Sequence, residues 1–415
     1  MFFKRFKKNT FVANVAKVFG IKSIVLILSM ISSIVAARLL GPDGKGLVTV
    51  AISIANLAVQ FGNLGIHSAN TYYLAKDKSI LPRVVGNSTA VVAFVATVSF
   101  FLLYILNGFF KILTIEGITL ILVIVYIPIQ LYNMYLQNFF IALERVKKYS
   151  IMEMLIGILY PIFLVTIACF HSWSLTPNLA IFSSVITSLL TLTVGLFFLK
   201  EELKEKMQID KELFFQMLPF GIKSYLSCLL TYLVLRVDIF MIDYYLNRIE
   251  NGLYSLAVNL ADIVNMIAIS VSMLLFPKLS GIEDKEQRKD FINRTLKYMS
   301  IIMLSLVVCA TICSEWAVLQ LYGEEYTRSI PAFRILMPGI FFWALSSLLF
   351  NYFSSENRID LNIRISLVGL VINIVSNFFL IKRAGIYGVA TASTISYITI
   401  FVLLFYELKK RGSHK

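Results

Sequence analysis

Charge is scarce in this chain of 415 residues: 15% are Asp, Glu, Lys or Arg, where a soluble protein averages about 25%. Cysteine is scarcer still, and Cys169, Cys228, Cys309 and Cys313 each fall inside an apolar run. Cys309 and Cys313 lie one helical turn apart with no His or carboxylate at metal-ligand spacing, so they read as packing residues. A phosphate-cradling glycine loop is missing, which excludes transport driven by ATP bound to this chain. Long connections are missing on the less basic side of the chain, and one of those loops, "HSWSLTP", carries no Lys, Arg or carboxylate. A membrane polymerase or ligase of glycans is disfavoured, because its carbohydrate chemistry needs Arg, His or carboxylates there. No cleavable signal peptide is expected, since the apolar run behind "MFFKRFKKNT" is long and has no small-residue cleavage site.

What is present is apolar surface. Hydrophobic residues make up 58% of the chain, in blocks of about 20 between short charged clusters, the pattern of an integral membrane protein. Twelve spans are expected, at 11–37, 47–74, 84–106, 118–142, 151–170, 178–199, 221–246, 253–276, 296–320, 331–354, 365–381 and 387–406. With the N-terminus, the even-to-odd loops and the C-terminus on one side, that side holds 26 Lys and Arg and the other 7. The asymmetry puts both termini in the cytoplasm. The net charge of +14 is then an insertion code with attraction to anionic lipid, and no nucleic-acid partner is expected.

The chain repeats itself. At an offset of 206, "RLLGPDGKGLVTVAISIAN" lies over "YYLNRIENGLYSLAVNLAD", matching Leu40 with Leu246, Gly46 with Gly252 and Ala51 with Ala257. At an offset of 213, "NFFIALERV" lies over "NYFSSENRI", matching Asn138 with Asn351, Phe140 with Phe353 and Arg145 with Arg358. Six spans per half is an even number, so the two halves form a parallel repeat. The expected division is a six-helix lobe over 1–199, a cytoplasmic interfacial linker over 200–220 and a second six-helix lobe over 221–415. Leu203, Met207, Leu213, Phe214, Met217 and Leu218 suit the linker to a helix lying on the membrane surface.

The loop "ARLLGPDGKGLVTVA" and the segment "RVDIFMIDYYLNRIENGLYSLA" resemble the Wzx-type polysaccharide flippases. These belong to the multidrug/oligosaccharidyl-lipid/polysaccharide (MOP) exporter superfamily. The resemblance implies an all-α polytopic membrane protein whose two lobes surround a central hydrophilic cavity. It also implies movement of an undecaprenyl-pyrophosphate-linked oligosaccharide from the inner to the outer leaflet of the bacterial cytoplasmic membrane, for O-antigen or capsule synthesis. Arg38 and Asp43 match the family's loop motif, although "GPDG" at 41–44 is sufficiently explained as a tight turn.

Polar side chains in the spans mark where a cargo could sit. Ser53, Asn56, Gln60, Asn63, His67 and Asn70 recur at steps of 3 and 4, forming one helical strip of about 26 Å. Lipid offers such groups no partner, so the strip reads as a cavity lining, with His67 as a hydrogen-bonding group rather than a proton carrier. Tyr126, Gln130, Asn133 and Gln137 do the same in the fourth span; Ser255, Asn259 and Asp262 share a face in the eighth, and Ser366, Asn373 and Asn377 in the eleventh. Amides and hydroxyls can bond sugar hydroxyls without holding them tightly.

Lys22 and Arg236 lie inside spans, where a charge costs at least about 2.5–3.5 kcal/mol, and both suit a pyrophosphate. The alternative for Arg236 is an internal ion pair. Asp243 is about 10 Å away along the helix, which leaves a carboxylate on another helix such as Asp262. Asp238, Asp243 and Asp262 are candidates for contact with a coupling ion, Na+ or H+. Lys17 reads as snorkelling, and Glu153, Glu315 and Arg334 as interfacial anchors. No catalytic residue, cofactor or structural metal is expected. The expected partners are the lipid-linked substrate, membrane lipids and polysaccharide-assembly proteins, around a monomer. The rival readings are a cation-coupled multidrug exporter and a lipid II flippase of the same superfamily.

Overall fold

The computed structural model describes residues 8–108, 114–170, 175–282 and 284–410. In chain order the helices are α1 (Lys8–Asn63), α2 (Ile66–Lys76), α3 (Leu81–Gly108), α4 (Gly117–Ala142), α5 (Val146–Phe170) and α6 (Pro177–Glu202). They continue as α7 (Lys211–Tyr245), α8 (Arg248–Ser280), α9 (Lys285–Ala317), α10 (Ser329–Ser355) and α11 (Ile359–Lys410). Among the described residues, ten helical stretches are long and apolar enough to cross a bilayer. Two of them are double: α1 breaks at Gly41 (φ 65°) and α11 at Gly385 (φ 55°). Splitting each at its glycine gives twelve membrane-crossing legs, as the apolar blocks predict. The expected tight turn at 41–44 is a one-residue break, because Pro42 can already begin a helix, where its missing N–H costs nothing.

The chain divides into two compact units. One comprises Met1–Leu40 with Ala51–Tyr225, the other Gly41–Val50 with Leu226–Lys415. The start of the leg after Gly41 therefore belongs with the second unit. There it crosses the start of α8 at near contact: a Cβ on Gly46 would lie 1.9 Å from the Arg248 carbonyl oxygen, and one on Gly252 1.8 Å from that of Pro42. Each glycine faces the carbonyl four residues before the other, so the two repeat-related glycines meet across a local twofold. In a membrane, where apolar burial drives little association, such backbone approach maximises packing. Lys45 beside it is buried, with its ammonium 5.5 Å and 5.8 Å from the Tyr322 and Tyr326 ring centres.

The second sequence match is also structural. Helix α4 ends with Glu144 left-handed (φ 61°) and α10 with Asn357 left-handed (φ 58°). The next amide closes each turn: Arg145 N–H donates to the Phe140 carbonyl at 2.7 Å, and Arg358 N–H to that of Phe353 at 2.9 Å. This six-residue closure satisfies carbonyls that a helix end leaves orphaned. Each arginine then pairs with a glutamate near the end of a later helix of its own unit, Arg145 with Glu202 of α6 at 2.8 Å and Arg358 with Glu407 of α11 at 3.2 Å.

Residues 200–220 differ from the expected surface helix. Residues 203–210 are non-helical, and Lys211 begins a helix that runs unbroken to Tyr245. Backbone bonding explains this. Asn87 Nδ2 donates to the Asp210 carbonyl at 2.8 Å while the Asp210 amide donates to Asn87 Oδ1 at 2.9 Å. The Gln208 amide reaches the Pro82 carbonyl at 3.2 Å, and Arg83 pairs with Asp210 at 3.2 Å. A non-helical segment anchored to the start of α3 gains these partners, which a surface helix would forgo. Leu213 and Met217 are buried, whereas Met207 is exposed.

Candidate functional site

The polar strip of the first unit is interrupted, which corrects the single helix expected over 47–74. Leu64 (φ 48°) and Gly65 (φ 77°) turn left-handed between α1 and α2. Glycine is required at 65 for a second reason: a Cβ there would lie 2.2 Å from the Gly221 carbonyl oxygen. Past the break the strip is used within its own lobe. Asn63 Oδ1 accepts the His67 amide at 3.2 Å, the Asn63 amide meets His67 Nδ1, and His67 Nε2 lies 3.0 Å from Ser68 Oγ. Asn70 donates to Ser88 Oγ at 2.9 Å, and both Asn63 and Asn70 are buried. Asn56 and Gln60 are half-buried, with no hydrogen bond among the described residues. In α4, Asn133 is buried and donates to the Ser188 carbonyl at 2.8 Å. Gln130 and Gln137 are half-buried, and Gln130 Oε1 is inaccessible and unbonded.

In the second unit two of the acidic candidates, Asp262 and Asp238, each have close partners of their own. Arg236 donates to Asp262 at 2.7 Å, with the two side chains 27% and 39% exposed. Asp238, two residues along α7 and so on a different face, is 1% exposed. Its carboxylate accepts from Tyr254 Oη at 2.5 Å, from Ser393 Oγ at 3.3 Å and from the Ile239 amide at 2.9 Å. Asn373 donates to Ser393 Oγ at 3.3 Å, and Asn377 to Asn373 Oδ1 at 2.8 Å. Asn377 Oδ1 remains buried and unbonded. The result is a chain of oxygens from α7, α8 and α11 ending in an open acceptor. Such a set can hold a proton or a small hard cation, whose preferred ligands are oxygens. Among the described residues no three His, Cys, Asp or Glu converge on a metal-sized site.

Asn259 is half-buried one turn before Asp262, and Asp243 is half-buried two turns beyond Arg236. Lys22 lies on α1, but its side chain, like that of Lys17, falls outside the described residues. Arg334 pairs with Glu315 at 3.2 Å, and both are partly exposed, consistent with anchoring at a span end. Tyr254 and Ser393 complete the Asp238 network, yet neither stands out in the sequence. Tyr254 adjoins the Ser255, Asn259 and Asp262 face without sharing it, and Ser393 sits among ordinary small residues.

The chain is similar over most of its length to known proteins. A family model described as "Polysaccharide biosynthesis protein" matches residues 35–331. A Shigella flexneri protein, whose name proposes it as an O-antigen transporter, is 24% identical over 391 residues, covering 89% of this chain and 90% of its own. The capsular polysaccharide biosynthesis protein CapF of Staphylococcus aureus is 23% identical over 278 residues, 64% of this chain and 69% of that one. Among solved structures, the lipid II flippase MurJ in an inward closed conformation superposes with a TM-score of 0.76 at 16% identity, covering 94% of this chain and 87% of that one. An inward-facing multidrug resistance MATE family transporter of the MOP superfamily gives 0.75 at 14% identity, with 93% and 94% covered.

Proposed function

Because the chain belongs to the polysaccharide biosynthesis protein family and folds as the MOP transporters do, we propose that it is a flippase for a lipid-linked oligosaccharide. Its cargo in this reading is an undecaprenyl-pyrophosphate-linked repeat unit, carried from the inner to the outer leaflet of a bacterial cytoplasmic membrane. The termini lie in the cytoplasm, where the excess of Lys and Arg would hold them. The observation that carries the proposal is the partial exposure of the Arg236–Asp262 pair well inside two apolar helices. Partial exposure leaves the guanidinium within reach of a competing anion, so the pair can exchange partners.

Pyrophosphate offers Arg236 two or more anionic oxygens and competes with Asp262 for the guanidinium, whose planar fork suits bidentate phosphate contact. The free amides of Asn56, Gln60 and Asn259 would then meet sugar hydroxyls, each bond weak enough to release. Asp238, with Tyr254, Ser393, Asn373 and Asn377, is the proposed seat of a coupling Na+ or H+. One charge moved through 100 mV supplies about 2.3 kcal/mol. Transport proceeds by alternating access, the polar faces opening to one side of the membrane and then the other.

The test is transport in vesicles containing the purified protein, with a labelled lipid-linked oligosaccharide and, separately, a lipophilic cation. Movement of the oligosaccharide alone, abolished in folded Arg236→Ala, supports the proposal. Movement of the cation alone would overturn it in favour of a multidrug exporter.

A further inference from the structure

A basic cleft at the end of α6 lies outside everything assigned above. It measures about 410 Å³ and is formed by Tyr132 of α4, Leu196 and Leu199 of α6, and the lysines Lys200, Lys204 and Lys206. We propose that this cleft binds the phosphate headgroup of an anionic phospholipid of the bilayer.

Three observations carry the assignment. First, the cations are free. Lys200, Lys204 and Lys206 are exposed and form no ion pair among the described residues, although carboxylates are close in sequence. Those carboxylates are already engaged: Glu201 with Lys148 at 2.8 Å, Glu202 with Arg145 and Lys148, and Asp210 with Arg83. Glu205 is the single carboxylate lining the cleft. The C-terminal end of α6 adds the equivalent of about half a negative charge, which still leaves the cleft positive by more than one unit.

Second, the wall behind the lysines is apolar. Leu196 is 42% exposed, and the Tyr132 ring is held by a 2.9 Å bond between its hydroxyl and Thr89 Oγ1. A purely aqueous phosphate has no use for that wall, whereas the glycerol and first methylenes of a lipid do.

Third, an apolar track leads to it. Phe182, Leu189 and Leu196 recur at steps of seven on one face of α6, and each is exposed by more than 40%. The track is about 21 Å long, enough for an acyl chain lying along the helix with its headgroup at the lysines. The occupant is therefore a membrane lipid in the leaflet that residues 200–206 face, and it fastens the α6 end of the non-helical connection at 203–210.

Native mass spectrometry of the full chain, released from detergent with added phosphatidylglycerol or phosphatidylcholine, tests the site. Wild type is expected to retain phosphatidylglycerol preferentially. Each lysine near a charged membrane surface contributes about fivefold, so the triple variant K200Q/K204Q/K206Q should weaken retention roughly a hundredfold. The corresponding triple Arg variant should preserve it, which separates lost charge from lost fold. Unchanged retention in the triple Gln variant overturns the proposal. So does an equal loss in K285Q/K289Q/K297Q, which would make the effect a diffuse field. Displacement of the lipid by equimolar glycerol phosphate would also overturn it, by showing a site for soluble phosphate.

Discussion

Adding one methyl group at Gly46 or Gly252 tests the closest helix approach in the second unit. Alanine at 252 puts its Cβ 1.8 Å from the Pro42 carbonyl oxygen, and alanine at 46 puts one 1.9 Å from that of Arg248. Real Cβ contacts essentially never fall below 3.0 Å, so either change forces the two helix starts apart by about 1 Å or more. Overpacking of that kind costs about 1–3 kcal/mol. The two substitutions demand the same displacement, because each glycine opposes the carbonyl four residues before the other. Once the first methyl has parted the helices, the second enters space already opened. The double variant should therefore be destabilised by little more than one single variant, a coupling of about 1–3 kcal/mol against additivity. Thermal unfolding of the four proteins of the cycle in mild detergent measures it. Gly20→Ala serves as the control: among the described residues nothing lies within 4 Å of that Cβ, and alanine's higher helix propensity should leave stability unchanged or slightly raised. Additive losses, or a neutral single variant at 46 or 252, would refute the reciprocal contact.

Other outcomes follow from the polar groups. With its competitor removed, Arg236 in Asp262→Ala should hold the pyrophosphate more tightly and so slow oligosaccharide transport, and the swap Arg236→Asp with Asp262→Arg should keep the fold but lose transport, measured in vesicles and by thermal unfolding. Asp238→Asn keeps the shape of the Tyr254 and Ser393 contacts, so uptake should persist while its dependence on an imposed ion gradient disappears. Outside the membrane, the Leu213 amide first and then the Arg83 guanidinium hold the Asp210 carboxyl below its ordinary range. Its contribution to stability is full above the unfolded value near about 4 and is lost as pH falls through the lower folded value. Acid unfolding should therefore be less steep below pH ~4 in Asp210→Asn than in wild type.

The apolar blocks made the spans legible because lipid tolerates few other patterns, and the repeat was legible because Gly46, Gly252, Arg145 and Arg358 keep structural duties in both halves. The direction in which each polar face points was less legible. Helical periodicity groups Asn56, Gln60, Asn63, His67 and Asn70 on one face, but it does not say whether that face meets water or another helix. The left-handed pair at Leu64 and Gly65 left no mark either, since "NLGIH" passes for helix in an apolar setting. Asp238 was visible as a charge out of place. Its partner Ser393 lies 155 residues away, and a single sequence carries no signal for a pairing at that range.

The paired hydrogen bonds between Asn87 and Asp210 bear on the order in which the molecule is made. They join residues 123 apart and cannot close until residue 210 has been synthesised, just before the helix that enters the second unit. Since chains fold domain by domain as they emerge, this clasp can fasten the first bundle before its sibling exists. Substitution of Asn87 should thus leave a nascent half-protein open to the quality-control proteases of the membrane, even where the finished molecule tolerates the change.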